Sequence, residues 1–246
     1  MKIYGLIGFP LTHSFSKKYF TEKFTQEAIN DCLFELFPLE QIDSLPALLK
    51  AQPPLAGLAV TIPFKESVID YLDEVDEVAK GIGSVNCIAI HSGGTKGFNT
   101  DYLGFRSSIF PLLGLPHPKA LVLGTGGSSK AIQFVLRELA IPFLLVSRNP
   151  SNHPGSIDYE SLNESIMQAH TIVINCTPLG MYPDINAAPP IPYEYIGPQH
   201  LMFDLVYNPS VTSFLQKGMQ QGATVKNGYE TLVHQAEANW EIWNQQ

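Results

Sequence analysis

The chain has 246 residues, 45% hydrophobic and 15% charged. That is apolar material for one large domain or two small ones, and it excludes an intrinsically disordered chain. Lys and Arg number 15 against 23 Asp and Glu, a formal net charge of −8 with a pI near 5.3. The first 104 residues hold 8 basic and 13 acidic residues and the rest hold 7 and 10, so neither part has the basic surface that nucleic acid demands. Any anion must be held by a local device.

Short apolar runs alternate with helical patterns, the signature of an α/β protein with a largely parallel sheet. Residues 3–7 read as the first strand. The opening ten residues are too short in apolar run, too broken by Gly5, Gly8 and Pro10, to serve as a leader peptide. A helix is expected over 16–29 and a strand over 55–62. From 65 to 80, Val68, Leu72, Val75 and Ala79 fall at i, i+4, i+7 and i+11, which predicts one helix ended by Gly81 and Gly83. The acids Glu66, Asp70, Asp73, Asp76 and Glu77 lie mostly off that stripe and read as its solvated face. Residues 84–90 form the next expected strand.

Past Asp101 another helical stretch leads to a turn-rich break over 114–118. A buried-type strand over 120–123 follows, then a glycine turn, then a helix with Ile132, Val135, Leu136 and Leu139 on one face. Residues 141–146, 171–175, 200–206 and 223–225 read as further strands of the same sheet. The last helix, 228–243, carries Leu232, Ala236, Trp240 and Trp243 on one side. The pattern is two α/β units joined near residues 102–106. No apolar run approaches the roughly 18 residues of a membrane helix. Cys32, Cys87 and Cys176 form no CxxC, and the seven histidines form no HxxxH or HExxH pair. The expectation is a reduced, cytoplasmic protein with no metal site, no membrane contact and no nucleic-acid partner.

Strand, glycine turn and helix together let backbone N–H groups at a helix N-terminus grip a pyrophosphate. The spacing here is Gly124-x-Gly126-Gly127, short of the full GxGxxG, and a structural tight turn would look similar. An NAD site would place an acid at the end of the following strand, for the ribose 2′-hydroxyl. This chain has Ser147-Arg148-Asn149 there, and a guanidinium suits a 2′-phosphate, which favours NADP; a solvent-facing loop arginine is the plain alternative.

Polar residues also gather after strands of the first half. His13-Ser14-Phe15-Ser16 joins two hydroxyls to helix N-terminal amides, a seat for a carboxylate or simply an N-cap. Thr61 and Lys65 stand at the mouth of a strand, Asn86 interrupts an apolar one, and Asn99-Thr100-Asp101 ends the half in a polar cluster. Each alone is more often capping or surface. Together they occupy strand ends, where α/β proteins form sites.

These blocks in series resemble the shikimate dehydrogenase family, from Gly8 to Trp243. The family's S-x-S appears as Ser14-Phe15-Ser16, its V-T-x-P-x-K as Val60 to Lys65, and its A-V-N-T as Ser84-Val85-Asn86-Cys87. G-x-N-T-D is Gly97 to Asp101, and N-x-T-P-L-G-M is Asn175 to Met181. Asp204-Leu205-Val206-Tyr207-Asn208-Pro209 and Gly228 through Gln235-Ala236 complete the series. The resemblance implies an α/β substrate domain over 1–104, joined by a returning C-terminal helix over 227–246, and a Rossmann-like NADP-binding domain over 105–226. A cleft would lie between them.

It also implies NADP-dependent interconversion of 3-dehydroshikimate and shikimate, a step of aromatic amino-acid biosynthesis, by a monomer or homodimer. Ser14 and Ser16 would seat the substrate carboxylate. Thr61, Lys65, Asn86, Asp101 and Gln235 would read the ring hydroxyls, and Tyr207 would contact substrate. The cofactor positions map to Gly124, Thr125, Gly126, Gly127 and Ser128, to Ser147, Arg148 and Asn149, and to Leu205 and Gly228. Lys65 would supply the proton as hydride reaches the ketone carbon, with Asp101 orienting it.

The chain departs from the family at Lys17 for a proline, Tyr19-Phe20 for His-Asn, Ala59 for Asn, Cys87 for Thr, Ser147 for Asn, Asn149 for Thr and Thr231 for Met. The rivals are an NAD-dependent quinate/shikimate dehydrogenase, against which Ser16 and Arg148 speak, and a non-catalytic dinucleotide sensor, against which Lys65 and Asp101 speak.

Overall fold

The computed structural model describes residues 1–11, 14–50, 54–114 and 118–245. His13 and residues 115–117 of the expected break lie outside them. The chain divides into two compact units, Met1–Gly104 with Leu232–Gln246, and Phe105–Thr231.

The first unit holds β1 (Lys2–Gly8), α1 (Phe15–Gln26), β2 (Cys32–Pro38), α2 (Leu45–Leu49), β3 (Leu55–Val60), β4 (Glu74–Val75), α3 (Glu77–Ile82), β5 (Cys87–His91) and β6 (Gly94–Phe98). Its sheet runs in the order β2-β1-β3-β5-β6-β4. The β1, β2 and β3 pairings are parallel, but β5 is antiparallel to both β3 and β6. Side chains of a strand alternate between faces, and β1 sends Tyr4 and Leu6 into one core and Ile7 into another. The Tyr4 core receives Phe20, Phe24, Phe34, Ala236 and Trp243. Gly57 is required there, because a Cβ would collide with the Trp243 indole, whose Nε1 donates to the Ile88 carbonyl at 3.0 Å. Cys87, in place of the family's threonine, is buried on this same face.

The helix expected over 65–80 does not form. Instead a short 3-10 turn covers Ser67–Tyr71, Leu72 is extended at φ −105° and ψ 145°, and β4 pairs in parallel with β6. The Asp73 carboxylate accepts from the Thr95 amide and hydroxyl, both at 2.8 Å, and Asp76 caps α3 by accepting from the Val78 and Ala79 amides. A distant threonine and a local cap thus break the helix. The stripe of Val68, Leu72, Val75 and Ala79 still reaches one core, though from three different elements. β2 and β6, unread in the sequence, complete the sheet.

The second unit contains most of α4 (Asp101–Ile109), then β7 (Ala120–Leu123), α5 (Gly127–Glu138), β8 (Phe143–Val146), β9 (Ser156–Ile157) and α6 (Glu164–Ala169). β10 (Ile172–Asn175), β11 (Leu201–Asp204), α7 (Ser213–Gln220) and β12 (Thr224–Lys226) follow, and α8 (Tyr229–Asn244) returns to the first unit from Leu232. The sheet order is β12-β11-β10-β7-β8-β9 with every pairing parallel. This is the doubly wound order, and the winding reverses between β7 and β10. β7, β10 and β11 are buried at every residue, as strands covered on both faces must be, which is why they read as unbroken apolar runs. No helix among the described residues is long and apolar enough to cross a membrane.

Candidate active site

Strand direction decides which residues of the first unit meet. β1 and β3 run in parallel and end together, with Ile7 opposite Val60. Because β5 runs the other way, its first residue, Cys87, lies opposite Ala59 on one side and Phe98 on the other. The segments after β1, after β3, before β5 and after β6 therefore share one end of the sheet. Asn86 does not interrupt a strand, as its sequence context suggested. It stands just before β5, and its backbone continues both ladders, with the Val60 amide donating to its carbonyl and its own amide donating to Phe98.

At that end Lys65 Nζ lies 2.6 Å from Asp101 Oδ2, with the two side chains only 14% and 15% exposed. Asp101 is the first residue of α4, and its other oxygen accepts from Asn86 Nδ2 at 2.9 Å. Asn86 Nδ2 also lies 3.2 Å from Gln235 Oε1 of α8. Lys65, Asp101, Asn86 and Gln235 thus form one bonded chain, drawn from four places in the sequence. Thr61 follows β3, with its amide on the Ile7 carbonyl and its methyl against Gly8, where a Cβ would clash. Ser14 is the N-cap of α1, accepting from the Lys17 amide at 3.2 Å, and Ser16 sits in the first turn. The capping reading of Ser14 is thus realised, and its hydroxyl proton is still available to a ligand.

In the second unit the β7 turn is built for close approach. Gly124 has φ +102°, which a side chain resists, and a Cβ on it would meet the Thr177 methyl at 3.1 Å. Gly126 is the N-cap of the 12-residue α5, and a Cβ there would meet nothing within 4 Å. The first amides of any α-helix lack intrahelical acceptors, and no side chain of the N-cap residue bonds to those of α5. Parallel β8 ends beside β7. There Ser147 is buried and accepts from the Asn149 amide at 3.2 Å, while Arg148 is exposed. Thr125 Oγ1 lies 2.9 Å from His153 Nε2, a link between the glycine turn and the loop beyond Arg148 that sequence reading missed.

Leu205 and Gly228 also meet. A Cβ on Gly228 would collide with the Leu205 carbonyl, so only glycine allows this approach. Tyr207, two residues on, is half-buried, and burial raises its hydroxyl above the ordinary pKa. Beneath these loops Asp204 is fully buried and accepts from Asn175 Nδ2 at 3.0 Å, the Val206 amide at 2.9 Å and Thr212 Oγ1 at 2.5 Å. Burial pushes its carboxyl up to about 6 despite those three donors. A polar residue closing an apolar strand was the available signal for Asn175 and Asp204.

Residues 6–88 match the model for the shikimate dehydrogenase substrate binding domain. The shikimate dehydrogenase (NADP(+)) of Methanosphaera stadtmanae is 34% identical, over 98% of this chain and 90% of that protein. The chain belongs to the shikimate dehydrogenase family. Shikimate dehydrogenase 1 from Peptoclostridium difficile superposes with a TM-score of 0.85 at 32% identity, covering 100% of this chain and 92% of the other. The shikimate 5-dehydrogenase from Thermus thermophilus, solved in complex with NADP(H) and shikimate, gives 0.86 at 29% identity, covering 100% and 94%.

Two departures from the family pattern have structural roles away from the Lys65 chain. Lys17 donates to the Phe34 carbonyl and pairs with Glu35 at 3.0 Å, tying α1 to β2. Tyr19 donates to Glu237 of α8, a carboxylate that also holds Lys23 at 2.9 Å. Both replace family residues with groups that fasten α1 to its neighbours.

Proposed function

We propose that the protein is an NADP-dependent shikimate dehydrogenase, reducing 3-dehydroshikimate to shikimate reversibly in aromatic amino-acid biosynthesis. The observation that carries the reading is the Lys65–Asp101 pair at 2.6 Å, held by Asn86 at the shared strand end of the unit that matches the family's substrate-binding model.

In this reading Ser14 and Ser16 hold the substrate carboxylate with their hydroxyl protons and the α1 N-terminus. Thr61, Asn86 and Gln235, with Lys65 and Asp101, read the ring hydroxyls, and Tyr207 is assigned a substrate contact. The glycine N-cap of α5, with no side-chain cap, and the exposed Arg148 past the end of β8 fit a dinucleotide carrying a 2′-phosphate. Gly124 through Ser128 would line the pyrophosphate, Ser147, Arg148 and Asn149 the adenosine end, and Leu205 and Gly228 the path toward the nicotinamide. NADPH, when bound, supplies the hydride. Lys65 donates a proton to the ketone oxygen as negative charge develops there, and Asp101 keeps the ammonium aimed. In reverse Lys65 takes the hydroxyl proton and passes it to solvent, so oxidation of shikimate gains as pH rises. Three free thiols suit the reducing cytoplasm as its setting.

The direct test follows NADPH formation by purified protein in four mixtures, shikimate or quinate with NADP⁺ or NAD⁺. Turnover with shikimate and NADP⁺ alone is expected. Comparable turnover with NAD⁺ or quinate would overturn the specificity read from Arg148 or Ser16. NADPH binding with no turnover anywhere would establish a sensor instead.

A further inference from the structure

Asn239 lies one helical turn beyond Gln235 on α8 and is buried to 1% exposure, yet no role in the site attaches to it. Its surroundings fix the direction of several amides at once. The Thr100 backbone amide donates to Asn86 Oδ1 at 2.6 Å, and a backbone N–H cannot exchange roles. Asn86 must therefore turn its nitrogen toward Thr100 Oγ1 at 2.9 Å, Asp101 and Gln235. The Thr100 hydroxyl has one proton, and its nearest acceptor is Asn239 Oδ1 at 2.6 Å. That sets Asn239 with its oxygen to Thr100 and its nitrogen to Gln235 Oε1, 3.5 Å away.

Gln235 Oε1 faces the Asn239 nitrogen and the Asn86 nitrogen, whose two protons are shared among three acceptors, and the Leu232 carbonyl on its other side requires an N–H, so the three contacts together make Oε1 the oxygen. The Gln235 nitrogen gives one proton to the Leu232 carbonyl at 3.1 Å and keeps a second. We propose that Asn239 is a positioning residue, which together with Asn86 and the Leu232 carbonyl fixes the rotation of the Gln235 carboxamide so that it offers the substrate an N–H and not a carbonyl oxygen. The ligand group it selects is a hydroxyl oxygen acting as acceptor. This inference rests on the reading of Gln235 as a substrate contact. Without Asn239 the carboxamide keeps only the Asn86 nitrogen at 3.2 Å and the Leu232 carbonyl at 3.1 Å, so its rotation is less tightly fixed toward the substrate.

The test is a double-mutant cycle of wild type, Asn239→Ala, Gln235→Ala and the double variant, with KM for shikimate, KM for NADP⁺ and kcat measured for each. Asn239→Ala is expected to raise the shikimate KM by about tenfold, the scale of one buried hydrogen bond, with kcat changed by no more than about threefold. In the Gln235→Ala background the same substitution should change the shikimate KM by less than about twofold, because its route of action is gone. The NADP⁺ KM should not move. Additive effects, or an unchanged shikimate KM in Asn239→Ala, would overturn the proposal while leaving Gln235 in its place. If Gln235→Ala itself leaves the shikimate KM unchanged, the substrate reading of Gln235 fails and the proposal with it. Asn239→Ser, whose hydroxyl still accepts from Thr100, provides the same cycle should the alanine protein not fold by circular dichroism.

Discussion

In the first unit the candidate groups are side chains, Lys65, Asp101, Asn86 and Gln235, each holding the next by a hydrogen bond or ion pair. In the second they are largely backbone, a glycine turn at φ +102°, a helix N-terminus with no side-chain cap and a glycine pressed against the Leu205 carbonyl. A side-chain site discriminates among ring hydroxyls but fails when one member is removed. A backbone site survives most substitutions, because every residue but proline supplies an N–H, and it fails where a proline or an intruding Cβ is placed. The two units thus differ in how sharply a single side chain should be felt.

The largest effect belongs to the first unit. Lys65→Ala removes the only group assigned to carry the proton, and kcat should fall by roughly 10²–10⁴-fold with the shikimate KM little changed. Steady-state rates at saturating substrate measure it. A near-normal kcat would take the chemistry away from the Lys65 chain altogether and erase the contrast between the units.

The second unit has one place that depends on side chains as the first does, the buried Asp204 that ties Asn175, Val206 and Thr212 together under the loops. Its carboxyl, pushed up to about 6 by burial, holds its proton more tightly folded than unfolded. The folded state therefore binds the extra proton between pH about 4 and 6, and stability is lost as pH rises through that window, by on the order of 2–3 kcal/mol. Asp204→Asn has no such proton to lose. Relative to that variant, the wild type should lose unfolding free energy from pH 4 to 6 and then level, as read by urea titrations across that range. A flat difference would mean that the three donors outweigh burial.

What the sequence disclosed follows the same division. The turn from Gly124 to Gly127 was legible because its signal is local, an apolar strand, glycines and an amphipathic helix in unbroken order. The strands of the second sheet were legible because burial on both faces leaves them apolar throughout. The first unit resisted where contacts are distant in sequence. Nothing near Asp73 announces Thr95, 22 residues on, so the stripe from Val68 to Ala79 read as one helix. Nothing near Asn86 announces that β5 runs antiparallel, so its place beside Val60 and Phe98 could not be read from periodicity. The link from Thr100 to Asn239 spans 139 residues, and neither end carries a local pattern.

The smallest effect tests the backbone character of the candidate second site from Arg148, an exposed cation beside it. Arg148 stands at the end of β8 beside a turn whose grip on a pyrophosphate would come from main-chain amides. Its substitution should therefore cost a single charge-assisted contact and no more. Arg148→Ala should raise the NADP⁺ KM by roughly tenfold while the NAD⁺ KM stays within about twofold, since NAD⁺ lacks the 2′-phosphate for a guanidinium to meet. Parallel rises in both would place Arg148 on the pyrophosphate, and the second site would then depend on a side chain as strongly as the first. No change in either would leave His153, whose Nε2 lies 2.9 Å from Thr125 Oγ1, as the next side chain to test at the 2′ position, through the same pair of KM values in His153→Ala.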